Sequence, residues 1–339
     1  MSNPIPASLY PWLHDSWLDL QKRHRQQGLP HALMLTGPRG MGKHVLSLEI
    51  ARWLLCTRRI PQQLGSACGE CHSCQLWQAG NHPDFLECKP EDGSKQIRID
   101  GVRRVNEFLV QTPQISPCQV VILAPVEVLN VNAANALLKT LEEPPGESFI
   151  LLETERHGSV MPTIRSRCQR LSLAPPPLAV SLAWLQQQGL TETDARQSLK
   201  SNQLAPVAAL EWVKQDYHSK HQNWLTSLQR WSSKQASLED TLAQWRNDEL
   251  VDVIEWLGKM LADLMKARMG AQPQQIIESG VLQCFEPSTL DVSKLLALHE
   301  RISSVAGQLR SGVSHHNRQL LLESLLIEWR GLAVTMGRI

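Results

Sequence analysis

The spacing of apolar and polar residues changes part-way along this chain, and the change divides it. Over residues 12–26 apolar positions recur at helical spacing. Residues 31–36 form a short apolar run that predicts a strand, followed by a glycine-rich turn and a helix over 43–55. Residues 84–88 read as a strand, and Asp100 is expected to cap a helix running to Val110. A strand is predicted over 120–123 and a helix over 133–142, stopped by Pro144 and Pro145. Further strands are predicted at 148–152 and 169–173. Strands alternating with helices predict an α/β domain whose parallel sheet is covered on both faces.

Pro175, Pro176 and Pro177 end that alternation, because three prolines in a row continue neither a helix nor a central strand. Beyond them no strand is predicted. Residues 178–212 read as a few short helices, and 213–335 as longer ones with apolar stripes such as Leu250, Val253, Ile254, Leu257, Leu261 and Leu320, Leu321, Leu325, Ile327. The expected organisation is an α/β domain over 1–174, a small helical domain over 175–212 and an all-α domain over 213–339. At 339 residues the chain is long enough for two or three domains.

Composition narrows the function classes. Hydrophobic residues are 42% and charged residues 20%, a globular profile rather than a disordered one. Lys and Arg total 34 against 33 Asp and Glu, so any basic strip for nucleic acid has to be local. No apolar run approaches a membrane span, and the N-terminus has no secretory pattern. A cytoplasmic protein without membrane contact is expected, and its eight cysteines then need a reason other than disulfides. Cys88, Cys118, Cys168 and Cys284 are scattered and read as small apolar residues. Eleven tryptophans stand against two tyrosines and four phenylalanines; those in the helical half are read as packing residues rather than base-stacking ones.

Two clusters carry chemistry. The first is Gly37-Pro38-Arg39-Gly40-Met41-Gly42-Lys43-His44, between a strand and a helix. Gly37, Gly40 and Gly42 allow backbone N–H groups to wrap phosphates, and Lys43 is placed to reach the outer ones. The final position, however, is His44 where a Ser or Thr hydroxyl would hold Mg²⁺. The strand ending at Leu123 leads into Ala124-Pro125 where an acidic pair would be expected. The loop is therefore read either as a weak or empty ATP site or as a retained fold element. The second cluster is Cys68-Gly69-Glu70-Cys71-His72-Ser73-Cys74 with Cys56 upstream, a knuckle over about 56–80. Cys56, Cys68, Cys71 and Cys74 would give a closed four-thiolate zinc site, which leaves no open position for water and is structural.

Residues 135–145 and 163–168 carry a resemblance. Asn135-Ala136-Leu137-Leu138-Lys139-Thr140-Leu141-Glu142-Glu143-Pro144-Pro145 resembles the signature helix of the clamp-loader subunits of bacterial DNA polymerase III. Ser166-Arg167-Cys168 resembles their Ser-Arg-Cys motif, and the cysteine insertion is similar to theirs. The segment 313–329 resembles the end of such a subunit. The resemblance implies an AAA+ fold with a P-loop domain, a helical lid and a helical collar. It also implies a pentameric ring of gamma/tau, delta and this kind of chain, which opens the beta sliding clamp and places it on primed DNA in replication. The degenerate loop points to the member of that family that does not hydrolyse ATP.

In this family the arginine of the motif reaches ATP held by the neighbouring subunit. Arg167 matches it, with Ser166 and Cys168 as motif neighbours. The family's sensor arginine has no counterpart in Leu204-Ala205-Pro206-Val207, and Glu155 stands where a small polar sensor is expected. Arg98, Arg103 and Arg104 flank a helix start that in clamp loaders faces the DNA backbone; a solvated basic face is the alternative. Two rivals remain, an active gamma/tau-like ATPase motor and a zinc-dependent DNA-binding module. His44 and Ala124-Pro125 speak against the first, and the near-neutral charge against the second.

Overall fold

The computed structural model describes residues 5–59, 64–92, 94–272, 275–311 and 317–333. The chain divides into two compact units, Met1–Glu211 and Trp212–Ile339.

The first unit is built on five parallel strands: β1 (Ala32–Thr36), β2 (Phe85–Cys88), β3 (Gln119–Leu123), β4 (Ser148–Thr154) and β5 (Gln169–Ser172), in the spatial order β2-β3-β4-β1-β5. The predicted α/β sheet is present, and β4 runs two residues further than its apolar pattern indicated. Side chains alternate between two cores. Leu33, Leu35, Val120 and Ile122 face one core with α1 (His14–Gln27) and α2 (Lys43–Leu55). Met34, Val121, Leu123, Ile150 and Leu152 face the other, with α4 (Ile99–Val110) and α5 (Val131–Glu142). The chain leaves β1 for the far edge, returns through β3 and β4, and then passes to β5 on the other side. The carboxyl end of β1 is therefore the topological switch point, where open α/β sheets form their ligand crevice.

Several expectations shift by a residue or two, each for a local reason. Asp100 is not the cap of α4; Arg98 occupies that position, and Asp100 lies in the first turn paired with Arg103 at 3.2 Å. The helix expected from 133 begins at Val131, because the Asn130 side chain accepts from Ala133 N. Asp84 precedes β2 rather than belonging to it. Its buried carboxylate accepts the N–H groups of Gln114, Ile115 and Ser116 and ties down the turn that leads into β3. A short helix within the cysteine cluster, α3 (His72–Gln78), had no periodic signal. A four-residue turn of helix, α6 (Pro162–Arg165), precedes β5. The unit ends with α7 (Leu178–Gln187), α8 (Glu192–Ser201) and most of α9 (Pro206–Lys214), around Leu185, Ala195, Leu199 and Ala209.

The second unit contains α10 (Tyr217–Ser232), α11 (Leu238–Gln244), α12 (Leu250–Arg268), α13 (Val292–Ser311) and α14 (Arg318–Arg330). Trp224, Trp231, Trp245, Trp256 and Trp329 are buried in its core. Trp245 Nε1 donates to Ser227 Oγ at 2.8 Å and Trp224 Nε1 to Asp248 at 2.7 Å, so two of these indoles satisfy their polar edge. The stripe expected on α14 is corrected: Leu320 and Ile327 are exposed, and the buried positions are Leu321, Leu322, Leu325, Leu326 and Trp329. That set recurs at 3.6-residue spacing, which 320 and 327 miss. Val313, the start of the segment that resembled the family, lies outside the described residues.

Candidate functional site

The loop 37–42 emerges from β1 at the switch point and turns into α2. Gly40 and Gly42 have φ of +77° and +84°, conformations that a side chain disfavours. In a working phosphate loop the lysine points at phosphate. Lys43 Nζ donates to the carbonyls of Gly37 at 2.8 Å and Pro38 at 2.9 Å. The side chain is buried, and burial lowers its pKa despite Glu155, Glu153 and Glu127 nearby. The outside of the loop is covered by the chain itself. Val207 N donates to Gly40 O, and a Cβ added at Gly40 would lie 2.3 Å from Ala208 N, so the start of α9 rests on the glycine backbone. A Cβ at Gly42 would meet the Tyr10 ring at 2.6 Å. Trp12 Nε1 donates to Met41 O at 2.9 Å, Tyr10 stacks on Trp12 at 4.8 Å, and Trp184 meets both rings edge-on.

His44 is engaged below the loop. Its Nδ1 lies 3.1 Å from Glu153 on β4, and its Nε2 lies 3.8 Å from Glu87 on β2. The hydrogen bond to Glu153 raises the imidazole pKa. Glu87, Glu127, Glu153 and Glu155 thus gather around Lys43 and His44, with Lys89 paired to Glu87. Like charges in a half-buried crevice repel a polyphosphate. Glu127 had no signal in the sequence, where attention fell on Ala124 and Pro125. It follows them by one short turn, and its Oε1 accepts Glu155 N at 2.9 Å.

Cys56, Cys68, Cys71 and Cys74 are brought together, their sulfurs all within 4.8 Å of one another. The Cys56–Cys71 and Cys68–Cys74 sulfur pairs are each 3.9 Å apart. Four thiolates about 2.3 Å from a tetrahedral ion stand about 3.8 Å apart, so the residues fit a metal ion. Backbone N–H groups of Cys68 and Cys71 point at the sulfurs of Cys56 and Cys68, an arrangement that stabilises thiolate charge. The knuckle is fastened from below. Ser73 Oγ donates to Leu55 O at 2.7 Å, and His82 Nε2 lies 2.9 Å from Ser73 Oγ and 3.2 Å from Ser116 Oγ. His82 Nδ1 accepts from Asp84 N, which puts the proton on Nε2, and burial lowers the pKa of this neutral ring. Gln21 on α1 clamps both backbone groups of Gly65. These supports are non-local, and the spacing of the cysteines carried no sign of them.

Arg167 follows α6 at the sheet margin, with its side chain about a third exposed. Its Nε donates to Glu142 Oε1 at 2.6 Å and Nη2 to the same oxygen. Its Nη1 donates to Thr163 O at 2.8 Å and Ser166 Oγ at 3.3 Å. Cys168 packs against the core, and burial pushes its thiol up to about 12. Arg98, at the N-cap of α4, and Arg103 and Arg104, within it, are exposed; Arg103 pairs with Asp100 and Arg104 with Glu91. Solvent-exposed pairs of this kind contribute little to stability.

Residues 13–177 match the family model described as DNA polymerase III, delta subunit, and 215–331 the one described as its C-terminal part. The DNA polymerase III subunit delta' of Pseudomonas aeruginosa is 32% identical, over 96% of this chain and 98% of its own length. The chain belongs to the DNA polymerase III delta' family. The delta' subunits of Yersinia pestis and Escherichia coli are 34% and 32% identical, each over 94% of this chain and over 95% and 94% of their own lengths. The gamma subunit of Buchnera aphidicola is 34% identical over 42% of this chain and 38% of its own length. A solved gamma subunit-related protein from Thermotoga maritima covers 93% of this chain and 99% of its own, at 18% identity and a TM-score of 0.45. No helix among the described residues is long and apolar enough to cross a membrane.

Proposed function

We propose that this delta' family member acts as the non-hydrolysing subunit of a clamp loader. Its own phosphate loop holds no ATP, and Arg167 completes the ATP site of the subunit beside it. The observation that carries the reading is the contrast at the two sites. Lys43 is spent on the carbonyls of its own loop beneath Trp12, Tyr10 and the start of α9, whereas Arg167 stands partly exposed at a margin. The loss of a Mg²⁺-binding hydroxyl at His44 and the carboxylates around Lys43 support the same conclusion.

In this reading the partners are gamma/tau and delta subunits in a hetero-pentamer, with the beta sliding clamp and primed DNA as the objects of the ring. Residues 1–174 form the P-loop domain, 175–212 the lid and 213–339 the collar. The four cysteines hold one structural zinc, and Arg98, Arg103 and Arg104 face the DNA backbone. The protein works in the cytoplasm. In the neighbour's reaction, water attacks the γ-phosphorus and the bond to the β-phosphate oxygen breaks. ADP leaves with the electron pair, and phosphate and a proton are released. An arginine supplied in trans offsets charge on the transferred group and is worth about 10³-fold or more in rate.

The test is pre-steady-state phosphate release by the reconstituted loader. Arg167→Ala slows the phase belonging to the adjoining site about 10³-fold, with assembly by gel filtration intact. Release at the wild-type rate in every phase removes the assignment.

A further inference from the structure

We infer that Glu142 is the positioning residue for Arg167. This rests on the reading of Arg167 as the group supplied to the neighbouring site.

Glu142 is the last residue of α5 and is followed by Glu143, Pro144 and Pro145. An acid at a helix C-terminus opposes the macrodipole, which favours cations there. An ion pair whose members are a third and a half exposed contributes little to stability. The fold therefore gives no reason for a carboxylate at this point. The guanidinium does. Its Nε and Nη2 edge lies against Glu142 Oε1, and the two hydrogens of Nη1 are directed to Thr163 O and Ser166 Oγ. Of the five N–H donors of an arginine, four are committed within the chain and one on Nη2 remains. The side-on contact fixes the plane of the group and leaves that donor at the outer end. A single N–H can then meet a phosphate oxygen without breaking the contacts that hold the ring of donors in place. Prolines at 144 and 145 end the helix so that Glu142 stays at its rim.

An arginine placed in advance acts on the transition state more than on bound ATP. Misplacement by about 1 Å costs up to about 10²-fold. The reconstituted loader is assayed for phosphate release over a range of Mg-ATP concentrations. Glu142→Ala is expected to slow the phase assigned to Arg167 about 10-fold and leave its half-saturating ATP concentration unchanged. Glu142→Gln, whose carbonyl oxygen still accepts from Nε and Nη2, recovers part of the loss. In an Arg167→Ala background Glu142→Ala has no further effect. Glu142→Ala at the wild-type rate, or an equal loss in both backgrounds, overturns the inference while Arg167 keeps its role. If Arg167→Ala itself changes nothing, it is the underlying reading of Arg167 that has failed. The melting temperature of each variant chain, expected to match the wild type, separates positioning from folding.

Discussion

The phosphate loop and the turn at Arg167 belong to the same unit, yet they treat their charged groups in opposite ways. At the loop, Lys43 is buried and bonded to Gly37 and Pro38, and Tyr10, Trp12 and Ala208 close over the glycines. At the turn, Arg167 keeps a third of its side chain in solvent and its partners are exposed side chains and one carbonyl. Both residues have anions beside them. Around Lys43 stand the carboxylates of Glu127, Glu153 and Glu155. Beside Arg167 the single carboxylate of Glu142 holds one edge of the guanidinium and leaves the end free. The two turns differ in where the chain covers the charge, more than in which charge is present.

The largest effect expected breaks the comparison directly. In the reconstituted loader Arg167→Ala costs about 10³-fold in the adjoining site, about 4 kcal/mol, while Lys43→Ala leaves every phase of phosphate release unchanged. Equal losses from the two variants would mean that the loop is also working. Next comes the cysteine knuckle, which anchors the far end of the helix that starts at Lys43. Cys71→Ser with Cys74→Ser should abolish about one bound metal ion per chain by elemental analysis and cost about 3 kcal/mol in urea unfolding. A metal-free wild-type protein would contradict that.

A smaller effect is expected from Gly40→Ala. The new Cβ would meet Ala208 N at 2.3 Å, at a φ of +77°. It should cost about 2 kcal/mol and raise amide exchange at Val207–Ala209, an opening of the closed side that leaves the Arg167 phase intact. The smallest concerns His44, whose pKa is raised by Glu153. A raised native pKa gives stability that is fully present below the ordinary imidazole value and lost as pH climbs through the native one. The side chain is half exposed, so screening leaves about 0.5 kcal/mol. The difference in stability between wild type and His44→Asn should shrink to zero as the pH rises above that range, and a constant difference would assign the pair no role in titration.

The sequence was most readable where one residue type has one use. The apolar runs over β1, β3 and β4 lie in the sheet because a strand buried on both faces has few alternatives. The four cysteines converge as their spacing predicted. His44 and Ala124-Pro125 were equally plain as departures from the motif pattern. The closure of the loop was not. It depends on Ala208 meeting Gly40, 168 positions away, and on Tyr10 and Trp12 meeting Gly42 and Met41. Glu142 was read as part of a signature helix, and its pairing with Arg167 across 25 positions became visible only in three dimensions. Leu320 and Ile327 looked like core because an apolar run gives composition without phase.

One element joins two of these regions. Helix α2 has Lys43 at its first position and meets Cys56 at its C-terminal cap. Its thirteen residues span about 20 Å, with Leu46, Ile50 and Leu54 seated in the core along the way. The helix runs from the loop to the cysteine cluster through the core, so removal of the metal expected there should be felt as faster amide exchange at the loop, at Gly40 and Gly42, before the sheet itself begins to open.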